Sequence, residues 1–468
     1  MENKKQISRK YFMFYSLTIL LSIIYGGIFI ALSIMLAFTS FSLLDIYLIP
    51  VCIGSIRIFF ALLPRINLRK NNRQIFSENC FIKNTERIAS AMKSTCPKSI
   101  YVMYDTNACA FNHKGEEVIA IGFPLAILLN KSELSFVIGH ELAHHFQGDV
   151  RYGHNIRKVE MVFTRLMNTL NNRWLYILAG PYSFVAKIIF REIKKLSRQD
   201  EFNADLRAAE IIGKQPAISA LKKLEISDRS WDFYLSSWIW ILNEYKIYVD
   251  IVENFSLFVS IININPENIN FEKKVANEYD SHPAIYERIT KIENTCFDGT
   301  AIIENKEYNI DSTKLSKHFW NIFNNETIKD LNISIVKSSK EAMEDLAKKI
   351  TCEYKHIFAS YTYSDAKSIM SIYPKVSYHL YEKTHNDNFE FEVQMITKIL
   401  SFIIYMKVKP EHWRIGQFFT PVLIIEEEEI DLYSIIIQNF NNKCTRWNAM
   451  LEALHINDQG LISETDCS

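Results

Sequence analysis

What the sequence lacks first is a net charge, since Lys plus Arg and Asp plus Glu number 53 each among 468 residues. That balance gives no global argument for nucleic acid or for an acidic substrate, so any charge argument has to be local. Cysteine pairing is also missing. The eight cysteines, Cys52, Cys80, Cys96, Cys109, Cys296, Cys352, Cys444 and Cys467, are scattered, with no CxxC pair and no tight framework. They read as reduced thiols and exclude a structural zinc ribbon, which leaves histidine and carboxylate as possible metal ligands.

Length and hydropathy give the organisation. A chain of this size exceeds one ordinary core, which favours two to three domains plus any membrane segment. From Tyr11 to about Ser40 the sequence is almost wholly apolar and uncharged, enough to span a bilayer as a helix and longer than a signal-peptide core. A second apolar run, about Ile46 to Leu63, is interrupted by Pro50 and carries Arg57. It reads as a second span, with an interfacial helix as the alternative. Lys4, Lys5, Arg9 and Lys10 precede the first run, and Arg65, Arg69, Lys70 and Arg73 follow the second. Both ends of the hairpin are therefore expected on the cytoplasmic face of the inner or plasma membrane. A third run, Trp174 to Phe190, is broken by Gly180, Pro181 and Lys187 and suits a membrane surface better than a span.

The expected fold class is α+β and mostly helical. It comprises an anchor over residues 1–73 (spans about 11–40 and 46–63), a domain with a small sheet over 77–293, and a mixed α/β region over 300–468. In the middle domain we expect a helix including Glu86 to Met92, then strands Ser99–Tyr104 and Glu117–Ile121, with a turn at Asn112 to Gly115. Asn130-Lys131-Ser132-Glu133 has capping-box spacing and opens a helix with Leu134, Val137, Ile138 and Leu142 on one face. Gly148 is a plausible end for it. A long helix from about Phe184 to Ile212 is expected to stop at Gly213 with a left-handed cap. The last region shows no repeats, and its Glu426 to Glu429 run reads as a solvated face. His356, His379, His385, His412 and His455 there have no ligand-like spacing.

The chemistry concentrates in His140-Glu141-Leu142-Ala143-His144, an HExxH motif on the capped helix. Positions i and i+4 differ by about 40° around a helix, so both imidazoles leave one face and can share a tetrahedral zinc. Glu141 falls beside that face as a general base for a water that the metal makes more acidic. His145 points elsewhere. Two histidines leave the metal short of a third ligand. Glu201, in Ser197-Arg198-Gln199-Asp200-Glu201-Phe202-Asn203-Ala204-Asp205, is the best candidate, with Asp205 one turn on to orient an imidazole. On spacing alone Asp200 or Glu210 compete. No third histidine follows at metzincin spacing.

HELAHH, the Ser197–Asp205 segment, and Ser281-His282-Pro283 followed by Glu287-Arg288-Ile289 together resemble the membrane gluzincin family that contains HtpX and the CAAX prenyl endopeptidase. The resemblance covers about residues 100–292. It implies one zinc per chain held by His140, His144 and Glu201, with Glu141 catalytic and Asp205 behind the ligands. It also implies His282 and Arg288 near the catalytic centre, His282 as a donor to the oxyanion. Asn107-Ala108-Cys109-Ala110-Phe111 resembles the family's Asn-Ala-Phe-Ala element with a residue inserted. By that resemblance Asn107, Ala108 and Ala110 bind substrate along a strand edge. The expected activity is zinc-dependent cleavage of protein or peptide substrates beside the lipid bilayer. Quality control of membrane proteins is the analogy with HtpX, and a prenylated substrate is disfavoured. The alternatives are a tethered, chaperone-like peptide binder and a zinc hydrolase for a non-peptide bond. No nucleic-acid partner is expected, and the oligomeric state is not legible.

Overall fold

The computed structural model describes residues 76–77, 81–113, 116–146, 176–262, 282–297, 311–324, 336–359, 376–378, 380, 388–425, 427–440, 450 and 454. It also describes seven positions between 16 and 34. Those seven, Ser16, Leu20, Ile23, Ile24, Gly27, Ala31 and Ile34, are helical and exposed. Both predicted spans otherwise lie outside the described residues, as do Ser281, Gly148 and the side chain of His145. No helix among the described residues is long and apolar enough to cross a membrane.

A four-stranded sheet opens the middle of the chain, in the order β1 (Phe76–Ser77), β2 (Ser99–Met103), β4 (Glu116–Gly122), β3 (Ala108–His113). Strands β2 and β4 run parallel, while β3 pairs antiparallel with β4 and ends the order. The β3–β4 register is one to one from Ala108↔Ile121 to His113↔Glu116. An inserted residue would appear as a bulge with two residues opposite one. None is present within β3, and Cys109 pairs with Ala120 as an ordinary rung of the ladder.

Helices α1 (Ile82–Ala91), α2 (Phe123–Leu128) and α3 (Lys131–Phe146) surround the sheet. The start of α3 is the predicted capping box: Glu133 N–H donates to Asn130 Oδ1 at 2.9 Å, and Asn130 N–H donates to Glu133 Oε2 at 2.8 Å. Ser219 and Lys223, at 2.6 and 2.8 Å from its oxygens, fix the Glu133 carboxylate further. Helix α4 (Tyr176–Ile212) is 37 residues long and starts earlier than the sequence suggested, because the run expected to lie apart at a membrane surface forms its first turns from Tyr176. Gly213 ends it at φ 115, ψ 152. This is not the left-handed cap expected; it is an extended, positive-φ conformation that a side chain would strain. It turns the chain straight into α5 (Lys214–Tyr234).

Beyond α5 come a π-helical turn (Leu235–Ile239), α6 (Trp240–Glu244), α7 (Ile251–Ile261) and α8 (Ile285–Glu293). The last region holds α9 (Ser312–Phe323), α10 (Ser339–Phe358), α11 (Phe389–Val408) and α12 (Leu432–Phe440). A three-stranded antiparallel meander, β5 (His412–Ile415), β6 (Pro421–Ile425) and β7 (Glu428–Asp431), precedes α12. One hydrophobic core runs from Phe81 to Leu454. Phe319 of α9 stacks on Tyr104 and packs edge-on against Phe123 and Trp231. Buried hydrogen bonds join the regions too, from Tyr234 Oη to Asn254 and from Asn254 to Ser339, each at 2.8 Å. Residues Glu427 to Glu429 are exposed, as expected of a solvated face, with Glu429 in a paired contact with Arg414. His356 and His412 are exposed as well, while His379, His385 and His455 lie outside the described residues.

Candidate metal centre

Helices α3 and α4 cross with little between them. Gly139 and Ala208 meet at the crossing, where a Cβ on Gly139 would touch that of Ala208 at 3.4 Å, and Ala143 and Ala204, one turn away on each helix, are fully buried. Small side chains let two backbones approach closely enough for short polar groups on either helix to meet. His140 and His144 come from α3, Glu201 and Asp205 from α4.

Ligand atoms of His140, His144 and Glu201 all lie within 4.8 Å of one another. The separations are informative. His140 Nε2 is 3.1 Å from His144 Nε2, and each of these nitrogens is 3.5 Å from a Glu201 oxygen. A tetrahedral ion with bonds of ~2.0–2.1 Å places its ligand atoms about 3.3 Å apart. The two nitrogens thus stand near the spacing of two vertices around a zinc-sized ion, and the Glu201 carboxylate turns one oxygen toward each. Two imidazole nitrogens facing each other at such a distance are also better explained as lone pairs aimed at one cation than as partners of each other. Asp200 and Glu210, which competed on spacing, are not in the cluster.

The surroundings fix the ligands. Asp205 Oδ1 accepts from His140 Nδ1 at 2.9 Å, which turns Nε2 toward His144 and Glu201, where a bound cation would take the place of its proton. Arg288, from α8, donates to both Asp205 oxygens at 2.7 and 2.6 Å and stands 3.8 Å from Glu201. His282 Nδ1 lies 3.3 Å from Glu201 Oε2 on a side chain 58% exposed. It is no helix cap, since α8 begins after Ala284, whose N–H donates to Glu287. Glu141 sits beside the histidines, and its Oε2 accepts from Ala110 N–H of β3 at 3.0 Å.

Charge and burial pull against each other here. Burial opposes a charged His140, but Asp205 and Glu201 outweigh it and push its pKa up to about 10. Burial likewise opposes ionised Glu201 and Asp205. The histidines hold Glu201 far below the carboxylate range, and Arg288 with His140 holds Asp205 low. Glu141 moves the other way, since burial raises it more than the histidines lower it. A raised carboxylate pKa suits a group that accepts and returns protons near neutrality. The arrangement thus combines an anionic three-ligand pocket for a dication with a separate, more basic carboxylate.

Every sequence-predicted residue of the set, Glu141, His282, His140, His144, Glu201, Asp205, Arg288, Asn107, Ala108 and Ala110, lies at this junction of α3, α4, α8 and β3 or at the start of β3. Sequence reasoning missed that Arg288 and Asp205 grip each other, and that the main chain of Ala110 holds Glu141. Neither contact has a sequence signal, because one joins residues 83 apart and the other uses a group every residue owns.

Comparison with known proteins agrees with the motif reading. Residues 79–296, a little under half the chain, match the model of Peptidase family M48. "Protease HtpX" of Buchnera aphidicola is 28% identical over 151 residues, which is 28% of this chain and 52% of the relative. The protein of the same name from Thioalkalivibrio sulfidiphilus is 31% identical over 148 residues, 26% of this chain and 46% of that one. The chain spans about half the length of the curated relatives it matches. Among solved structures, that of S. mikatae Ste24p aligns over 60% of this chain and 65% of its own, at 16% identity and a TM-score of 0.26. The stretch of chain that folds around His140, His144 and Glu201 is thus the part that matches the model of Peptidase family M48.

Proposed function

We propose that this chain is a membrane-anchored, zinc-dependent endopeptidase that hydrolyses peptide bonds of protein substrates, with one zinc per chain held by His140, His144 and Glu201. The observation that carries this reading is the convergence of His140 Nε2 and His144 Nε2, 3.1 Å apart and each 3.5 Å from one oxygen of Glu201, with Glu141 beside them. The family match and the relatives' name as proteases support it.

Zinc in this pocket would supply Lewis acidity toward the scissile carbonyl and toward water. Glu141 takes the proton from water and delivers it to the leaving amine, a role for which its burial-raised pKa is suited. His282, exposed at the edge of the site, is assigned as the donor to the oxyanion, a contribution of about 2.7–4 kcal/mol where such donors have been removed. Asp205 and Arg288 touch no substrate in this scheme; they keep His140 oriented and balance buried charge. The edge of β3 would receive an extended substrate, through Asn107, Ala108 and Ala110.

The apolar, uncharged run of residues 11–40, with its described positions exposed (Leu20 52%, Ile23 63%, Ile34 55%), supports anchoring in a bilayer. The basic flanks support a cytoplasmic catalytic domain at the inner or plasma membrane, with quality control of membrane proteins as its role. Purified full-length protein should hold about one zinc and cleave an unfolded polypeptide. Glu141→Gln should lower cleavage by about 10²–10⁴-fold with zinc still bound. Equal cleavage by wild type and variant would defeat the enzymatic reading in favour of a peptide-binding role.

A further inference from the structure

Strand β3 ends the sheet, so half of its main-chain groups face away from β4. Which half is fixed by the ladder. Asn107 C=O accepts from Gly122 N–H at 2.9 Å, and Ala108 to His113 pair one to one with β4. Main-chain groups alternate along a strand, so those of Asn107, Cys109 and Phe111 face β4 and those of Ala108 and Ala110 face outward.

The outward N–H groups of Ala108 and Ala110 are already used. Ala108 N–H donates to Asn107 Oδ1 at 2.9 Å, and Ala110 N–H donates to Glu141 Oε2 at 3.0 Å. Among the described residues, no donor meets the carbonyl of Ala108 or Ala110. An ordinary open edge presents donors and acceptors alternately to an incoming strand. Over Ala108 to Ala110 this one presents acceptors alone.

We infer that Ala110 N–H is a fixed positioning donor for Glu141, and that the Ala108–Ala110 edge consequently recognises a substrate strand only through that strand's N–H groups. The inference rests on the peptidase reading and adds a specificity rule to it. One carboxylate oxygen of Glu141 is tied to the strand, which leaves Oε1 as the proton-accepting atom and ties the aim of the base to the position of the substrate-binding edge. A substrate residue opposite this edge must carry a free N–H. Proline or an N-methylated residue there removes the one interaction on offer, whereas weakening the facing carbonyl removes nothing.

Two measurements test this on zinc-loaded, full-length protein in detergent. The first is amide hydrogen exchange in wild type and Glu141→Ala. Exchange at Ala110 should quicken about tenfold or more in the variant, with Cys109 and Phe111, bonded into the ladder, unchanged. Equal exchange at Ala110 in the two proteins would overturn the inference, whatever the catalytic result. The second takes a fluorogenic peptide selected from a random pool by wild-type cleavage and modifies it one residue at a time away from the scissile bond. N-methylation should lower kcat/KM about tenfold or more at residues two apart, and thioamides at the facing carbonyls should change it less than about twofold. A thioamide loss equal to the N-methyl loss would mean that substrate takes the Ala110 N–H from Glu141, and the inference fails. Absence of any zinc-dependent cleavage would defeat the peptidase reading instead, and leaves the exchange result standing on its own.

Discussion

Around His140, two buried carboxylates meet a second, partly exposed imidazole and a largely covered guanidinium, whereas Lys398 is buried in α11 with one backbone carbonyl for company. In the first place every charge faces an opposite charge or an aimed donor: Arg288 grips Asp205, Asp205 holds His140, and Glu201 faces both imidazoles and His282. In the second, Lys398 Nζ donates to Ser237 O at 2.7 Å, in the π-helical turn, and burial alone brings its pKa down to about 7. A buried charge survives where partners are supplied and is shed as a proton where they are not. The metal centre is thus organised to keep its charges, and the C-terminal half only tolerates one. Breaking a member of each should therefore have opposite effects.

The largest effect is expected at Arg288. Arg288→Met leaves Asp205 ionised and buried with only the His140 proton against it. Removing one partner of a buried pair costs about 3–5 kcal/mol. Chemical denaturation of the zinc-loaded protein should show that loss as a shifted midpoint, with retained secondary structure in the absence of denaturant. A midpoint within experimental error of wild type would mean that Asp205 is neutral in the fold, and the contrast between the two regions would collapse.

Lys398→Met should act in the opposite direction. An unfolded lysine titrates near 10.4, and the folded one near 7. Above about 10.4 both states are neutral and the residue costs nothing. As the pH falls from there toward 7, the unfolded chain takes up a proton that the folded chain refuses, so the wild type loses stability across that window and levels off below it. The methionine variant should lack this slope and be more stable at pH 7 by about 1–4 kcal/mol. Denaturation midpoints at several pH values between 7 and 10 check it. Parallel curves for the two proteins would show that the ammonium has a partner after all.

These two sites also differ in how far the sequence announced them. His140, His144 and Glu141 were legible because a capped helix has a fixed period, and Asn130 and Glu133 mark where it begins. Glu201 was legible as one of several carboxylates, and only the crossing of α3 on α4, made close by Gly139 and Ala208, selects it over Asp200 and Glu210. The sheet was readable from its β-branched runs, though β3 was recognised by resemblance and not by pattern. Lys398 gave no signal. It sits in a helix apolar on nearly every side, where the contrast that marks a face is lost, and its partner Ser237 is 161 residues away. The stitching of α5 and α10 onto α7 depends likewise on Tyr234, Asn254 and Ser339, whose polarity on its own suggests surface.

The subtlest effect is expected at Asp205, where charge can be removed without removing shape. Asp205→Asn keeps an oxygen that can accept from His140 Nδ1, so the imidazole stays oriented with Nε2 toward His144 and Glu201. It also deprives Arg288 of its anion. The nearest remaining carboxylate to that guanidinium is Glu201, already 3.8 Å away, so Arg288 is expected to draw Glu201 out of the ligand triangle. Both changes weaken the grip on a dication, and substitutions behind metal ligands typically cost about 10–100-fold in affinity. Competition against a chelator of known zinc affinity measures it directly. The fold should hold better than in Arg288→Met, because a neutral amide is cheaper to bury than an unpaired carboxylate. If Asp205→Asn binds zinc as tightly as wild type, then Arg288 does not compete for Glu201, and the charges of this centre balance one another less tightly than their distances imply.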